Sequence, residues 1–253
     1  MIFEEKLIFY PSQYPDGDWE PLVPKEVVLE DVFFESGGLK LHGWFLRPCK
    51  PLFDGAVLFC HGNAGNLSSR YPKALAMALC GVAVFLFDYR GYGRSEMGSV
   101  SEKKFYEDSS AAWDWLCSEG YESIVVHGIS LGGGAATYLA VEKNPVGLSL
   151  ESTFTSMPDM SHEVYPFIPR FLIASHFNNF ERIPQVKIPL QVIHGTEDEL
   201  IPHWMGVKLF DAAICEKEFI SIDGAGHGDL MEIAGDSYAA HFRTLLEKVL
   251  VAL

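Results

Sequence analysis

The chain has 253 residues, 48 % of them hydrophobic and 21 % charged, with a formal net charge of -15 at pH 7. That length and apolar share suit one large α/β domain and exclude a disordered chain. The acidic surface argues against nucleic acid or anionic lipid as a partner, and no local basic cluster offsets it.

Residues 1–26 contain Pro11, Pro15, Pro21 and Pro24 among several aromatics, which predicts an irregular arm lying against the body. Segments 27–35 and 39–46 are β-rich and flank Ser36-Gly37-Gly38, so they should form an antiparallel hairpin. Residues 56–60 (AVLFC) are an apolar run of the kind expected for a strand covered on both faces. A helix over 68–79 stops at Cys80-Gly81, and 82–87 is the next buried strand. Ser99-x-x-Glu102 resembles a capping box for a helix reaching about Cys117, with Ser101 as the alternative cap.

Ile124-Val125-Val126 reads as a short buried strand, and 131–143 as a helix. Between them Gly128-Ile129-Ser130-Leu131-Gly132 fits G-x-S-x-G, so strand, sharp turn and helix meet at a serine. This order predicts a nucleophile elbow, in which a strained turn lifts the hydroxyl of Ser130 clear of the sheet. Glycines flank it because strand and helix nearly collide there.

Segment 146–150 is a further strand. From 151 to 188 the rhythm breaks, with four prolines and many aromatics and methionines, which predicts one or two short helices over the site. A strand at 190–193, a helix at 205–213, a strand at 218–222 and a terminal helix at 237–250, capped by Asp236 or Ser237, complete the chain. Alternating strands and helices give a mostly parallel sheet with helices on both faces. The expected organisation is a single domain over 1–253 with a small lid-like insertion at about 152–187.

A serine hydroxyl needs a base, and the base needs an orienting carboxylate. In parallel sheets such groups gather at the carboxyl ends of strands. Of nine histidines, His227 sits in a Gly-rich loop (Asp223-Gly224-Ala225-Gly226-His227-Gly228) able to reach sideways to the elbow. His61, His127 and His194 precede glycines at strand ends and read as buried imidazoles bonded to backbone. His162 and His176 lie in the excursion and are weaker pocket candidates. For the acid, Asp198 is favoured, with Glu197 and Glu199 as rivals on spacing alone, while Asp223 reads as a turn former. The chain order Ser130, Asp198, His227 then follows. Two backbone amides should receive an oxyanion: Leu131, just after the serine, and Asn63, in the loop after the first parallel strand.

The assembled motifs are HGNAGN at 61–66, DYRGYGRS at 88–95, GISLGGG at 128–134, ESTFTS at 151–156, HGTEDELIP at 194–202 and GAGHGDL at 224–230. With them the chain resembles the α/β-hydrolase superfamily, more narrowly the Bem46-like and ABHD13-like serine hydrolases. The resemblance implies an eight-stranded sheet with an antiparallel second strand, the triad Ser130, Asp198 and His227, and the Asn63 and Leu131 amides as oxyanion hole. The leading expectation is a carboxylesterase, with thioesterase or depalmitoylase-like activity as the alternative; the short, aromatic 151–188 excursion argues for an open apolar pocket and so for short-chain acyl esters. A peptidase or a non-catalytic scaffold is less favoured. No metal or organic cofactor is expected.

Five scattered cysteines without C-x-x-C fit a reducing compartment with buried thiols, Cys60 in the core. The opening Met1-Ile2-Phe3-Glu4-Glu5-Lys6 is charged at once, unlike a secretory signal, and no apolar run is long enough to span a bilayer. The expectation is a cytoplasmic enzyme without stable membrane insertion, acting on a small-molecule ester.

Overall fold

A computed structural model describes residues 8–167 and 169–253. The first seven residues of the expected arm, and Ile168 of the expected insertion, lie outside the described residues.

Eight strands form one sheet: β1 (Val27–Ser36), β2 (Leu39–Pro48), β3 (Ala56–Cys60), β4 (Ala83–Phe87), β5 (Ile124–Ile129), β6 (Gly147–Glu151), β7 (Leu190–Gly195) and β8 (Lys217–Ile222). Their spatial order is β1-β2-β4-β3-β5-β6-β7-β8. β2 runs antiparallel to both β1 and β4, and the pairs from β4 to β8 are parallel. The first hairpin closes through Gly37 and Gly38, at φ 56 and 79°, a conformation that favours glycine.

Every residue of β3, β4 and β5 is buried, as expected for the apolar runs of β3 and β4 and the Ile124-Val125-Val126 start of β5. Alternate side chains feed two cores. Leu58, Phe85 and Val126 face one core with Phe105, Leu116, Ala135 and Leu139, from helices α2 (Glu102–Ser118) and α3 (Gly132–Glu142). Val57, Val84 and Val125 face the other, with Ala74 and Met77 of α1 (Tyr71–Leu79) and Phe242 and Leu246 of α8 (Asp236–Val249). The 151–188 excursion carries α4 (Met157–Val164) and the single-turn α5 (Asn179–Arg182). α6 (His203–Ala212) follows β7, and α7 (Leu230–Ala234) precedes α8.

At the helix ends the structure chooses between the alternatives offered by the sequence and departs from it at Glu102 and Ser237. Ser101 caps α2, its Oγ accepting the Lys104 N–H. Glu102, expected to complete a capping box with Ser99, instead accepts the N–H groups of His176 and Phe177 at 2.6 and 2.8 Å and ties the excursion to α2. The terminal helix begins at Asp236 behind Gly235, whose φ of 54° turns the chain sharply after α7; Ser237 Oγ donates to Ala234 O rather than capping. α7 itself is too short to show a period in sequence.

Candidate active site

The site begins at the turn from β5 into α3. Ser130 has φ 53°, a left-handed conformation that costs a non-glycine residue about 1 kcal/mol or more. Neighbouring groups hold it there. Its N–H donates to Glu151 O at the end of β6 (2.9 Å), and its C=O accepts Thr153 Oγ1–H (2.7 Å) and Gly133 N–H (3.0 Å). The glycine requirement is steric: a methyl on Gly132 would lie 2.0 Å from Cys60 O.

His227 reaches Ser130 from the β8–α7 loop, with Nε2 3.2 Å from Ser130 Oγ. Its Nδ1 lies 2.8 Å from Asp198 Oδ2, in the loop after β7. A carboxylate only accepts, so Nδ1 carries the proton and Nε2 faces the hydroxyl as acceptor. Asp198 Oδ1 accepts the N–H groups of Leu200 and Ile201 at 3.0 and 2.8 Å. Burial alone would raise the Asp198 carboxyl. Hydrogen bonds from His194, His227 and the Ile201 N–H outweigh it and hold the group well below the usual carboxylate range. The rivals Glu197 and Glu199 are exposed, while Asp198 is buried. Asp223 accepts from Thr196 Oγ1, as a turn residue would.

The loop after β3 lies against the serine. A methyl on Gly62 would sit 3.3 Å from Ser130 Cβ. Among the described residues, neither the Asn63 nor the Leu131 N–H has a protein acceptor. Around the loop, Asp88 at the end of β4 accepts Leu67 N–H at 2.8 Å and faces His61 Nε2 at 3.3 Å.

The other histidines separate by environment. His61 Nδ1 bonds Gly62 O, and His194 Nε2 bonds Ile201 O while also approaching Asp198 Oδ2 at 3.3 Å. His127 departs from the expected backbone bond. It pairs with Ser149 Oγ (3.0 Å) and faces Glu151, and burial pushes it down to about 4. His162 and His176 are exposed.

Two groups behind the site are not legible in sequence. Glu151 is buried beneath the elbow, bonded to Lys73 Nζ and to Tyr238 Oη–H at 2.7 Å. His194 lies behind Asp198, its Nε2 3.3 Å from Oδ2. The partners of Glu151 lie far away in the chain, whereas His194 and Asp198 are four residues apart, and only the strand-end position of Glu151 and His194 hints at either contact.

No helix among the described residues is long and apolar enough to cross a membrane.

Residues 53–177 match the family model described as serine aminopeptidase, S33. An uncharacterized protein of Mycobacterium tuberculosis is 36 % identical over 232 residues, covering 89 % of this chain and 81 % of that protein. Protein bem46 of Schizosaccharomyces pombe is 33 % identical over 252 residues, covering 92 % and 83 %. Among solved structures, the Pyrococcus furiosus esterase Pf2001 superposes with a TM-score of 0.77 at 18 % identity, over 96 % of this chain and 99 % of that one.

Proposed function

The chain belongs to the Bem46-like α/β-hydrolases, and on that footing we propose that it cleaves carboxylic esters through an acyl-enzyme. The observation that carries the reading is the continuous proton line from Ser130 Oγ through His227 Nε2 and Nδ1 to Asp198. The reaction follows from that line. Ser130 Oγ attacks the ester carbonyl carbon as its proton passes to His227 Nε2. Asp198, kept ionised, fixes the imidazole tautomer and stabilises the imidazolium. The carbonyl oxygen becomes an oxyanion and takes up the Asn63 and Leu131 N–H groups. Collapse breaks the bond to the alkoxy oxygen, which leaves with the proton from Nε2. Water then adds to the acyl-enzyme, giving its proton to His227, and the carboxylic acid departs as Ser130 regains its hydrogen.

The excursion supports small substrates. α4 and α5 are short, and Glu102, the Arg182–Tyr106 bond and the buried Phe177 hold the segment close against α2. Short acyl chains such as acetate and butyrate are therefore the preferred class.

Ser130→Ala should abolish p-nitrophenyl acetate and butyrate hydrolysis and labelling by a fluorophosphonate probe. Retained turnover would refute the nucleophile assignment, and failure of the intact protein to label would favour a non-catalytic scaffold. An oxygen ester, thioester and amide panel then separates esterase from thioesterase and peptidase.

A further inference from the structure

The loop proposed to receive the oxyanion has no secondary structure of its own to fix the Asn63 amide. It is instead pinned by a segment more than fifty residues earlier. The N–H of Tyr10 donates to Asn63 Oδ1 at 2.9 Å, and Tyr92 Oη–H donates to the same oxygen at 3.2 Å. Ser12 N–H donates to Gly65 O at 2.9 Å, and Pro11 forms a bridge with Gly65. Asn66 Nδ2 donates to Ser12 O and Asp16 O at 3.3 and 2.7 Å. The arm is anchored in turn. Phe9 is buried against Phe105 and Phe177, and Trp19 packs on His42 and Trp44.

The two bonds on Asn63 use its side-chain oxygen and leave its backbone N–H without a protein acceptor, beside a serine that nearly touches Gly62. Tyr92 is fully buried, and that burial holds its hydroxyl neutral, so it remains a donor throughout the working pH range. A side chain latched from both sides fixes its own backbone orientation. Oxyanion stabilisation depends on donors aimed in advance at where charge develops.

We propose that the Asn63 side chain, latched by the Tyr10 N–H of the arm and the Tyr92 hydroxyl, is the positioning device that aims the Asn63 amide at the oxyanion. The arm is thus a working part of the active site. This inference rests on the esterase reading above. The latch acts on the charged intermediate and not on the neutral ester, so its loss falls on kcat and spares KM.

Tyr92→Phe removes one hydroxyl from a buried ring, and Asn63→Ala removes the acceptor while keeping the amide. The test measures kcat and KM for p-nitrophenyl acetate, inhibition by an aryl trifluoromethyl ketone, whose serine adduct carries an oxyanion, and Tm. The expected result is a kcat lowered roughly threefold to tenfold in Tyr92→Phe and tenfold or more in Asn63→Ala, within the hundredfold or greater loss typical of deleting an oxyanion donor. KM should stay within about twofold, and the ketone should weaken in step with kcat. If Asn63→Ala does not fold, Tyr92→Phe decides. Unchanged kcat and ketone affinity in active variants, with or without a lowered Tm, would overturn the latch, as would KM rising in step with any loss. A wild type that neither turns over ester nor labels with fluorophosphonate would instead sink the esterase reading and this inference together.

Discussion

Replacing Lys73 with Met isolates the ion pair beneath the nucleophile elbow. Glu151 has a side chain 1 % exposed, and that of Lys73 is 13 % exposed. Removing the lysine leaves a buried carboxylate whose remaining donor is Tyr238 Oη. Breaking a buried pair from one side costs about 3–5 kcal/mol, and the surviving tyrosine bond argues for the lower end, about 3 kcal/mol. For a domain of this size 1 kcal/mol moves Tm by about 2–4 °C, so Lys73→Met should melt about 6–12 °C lower at pH 7. The double variant Lys73→Met/Glu151→Gln removes the stranded charge and should recover about 2 kcal/mol.

The pH dependence gives the same reasoning a sign. In the wild type, burial works to raise the Glu151 carboxyl, but Lys73, His127 and Tyr238 prevail and hold it below its ordinary value. Its contribution is therefore present above the unfolded value of about 4.3 and lost as pH falls through the lower folded value. Without Lys73, burial dominates and the folded value rises above the unfolded one. The penalty is then full at neutral and alkaline pH and shrinks on acidification. Differential scanning fluorimetry from pH 4 to 8 reads both effects. A variant within 1 °C of wild type at pH 7, or a Tm gap that widens toward pH 4, would refute the argument.

Two further outcomes follow from the same geometry. Asp198→Asn should lower kcat for p-nitrophenyl acetate by roughly 10³–10⁴-fold at pH 7, because an amide no longer enforces the His227 tautomer; stopped or steady-state kinetics showing less than tenfold loss would contradict the assigned role. His127 is neutral when folded, pushed down to about 4 by burial, while its unfolded value is near 6.5. The unfolded state therefore binds the extra proton between those values, and stability falls as pH drops from about 6.5 toward 4, by up to about 3 kcal/mol. Urea titrations of His127→Asn over that range should show a flatter acid-side slope than wild type; an equal slope would remove His127 from the account.

Local chemistry explains why so much was legible. The buried strands β3 and β4 are continuous apolar runs and β5 opens on one, and the Gly-Gly hairpin and the G-x-S-x-G turn each need residues that few other conformations require. The same local logic misled at Glu102. Its spacing from Ser99 suits a capping box, but the carboxylate gains more from two N–H groups some seventy residues later, at His176 and Phe177.

Ser130 could be found from its own neighbours, because the strained turn is encoded within five residues, and His227 and Asp198 from their loops at the ends of late strands. Spacing alone did not separate Asp198 from Glu197 and Glu199. What separated them was a direction in space: Asp198 turns inward to His194, His227 and the Ile201 amide, while its neighbours face water. The arm on Asn63 and the lysine under Glu151 are likewise tertiary. Each joins a group to a partner brought near only by the packed sheet, and hydrogen bonds of that kind leave no periodic trace in the chain.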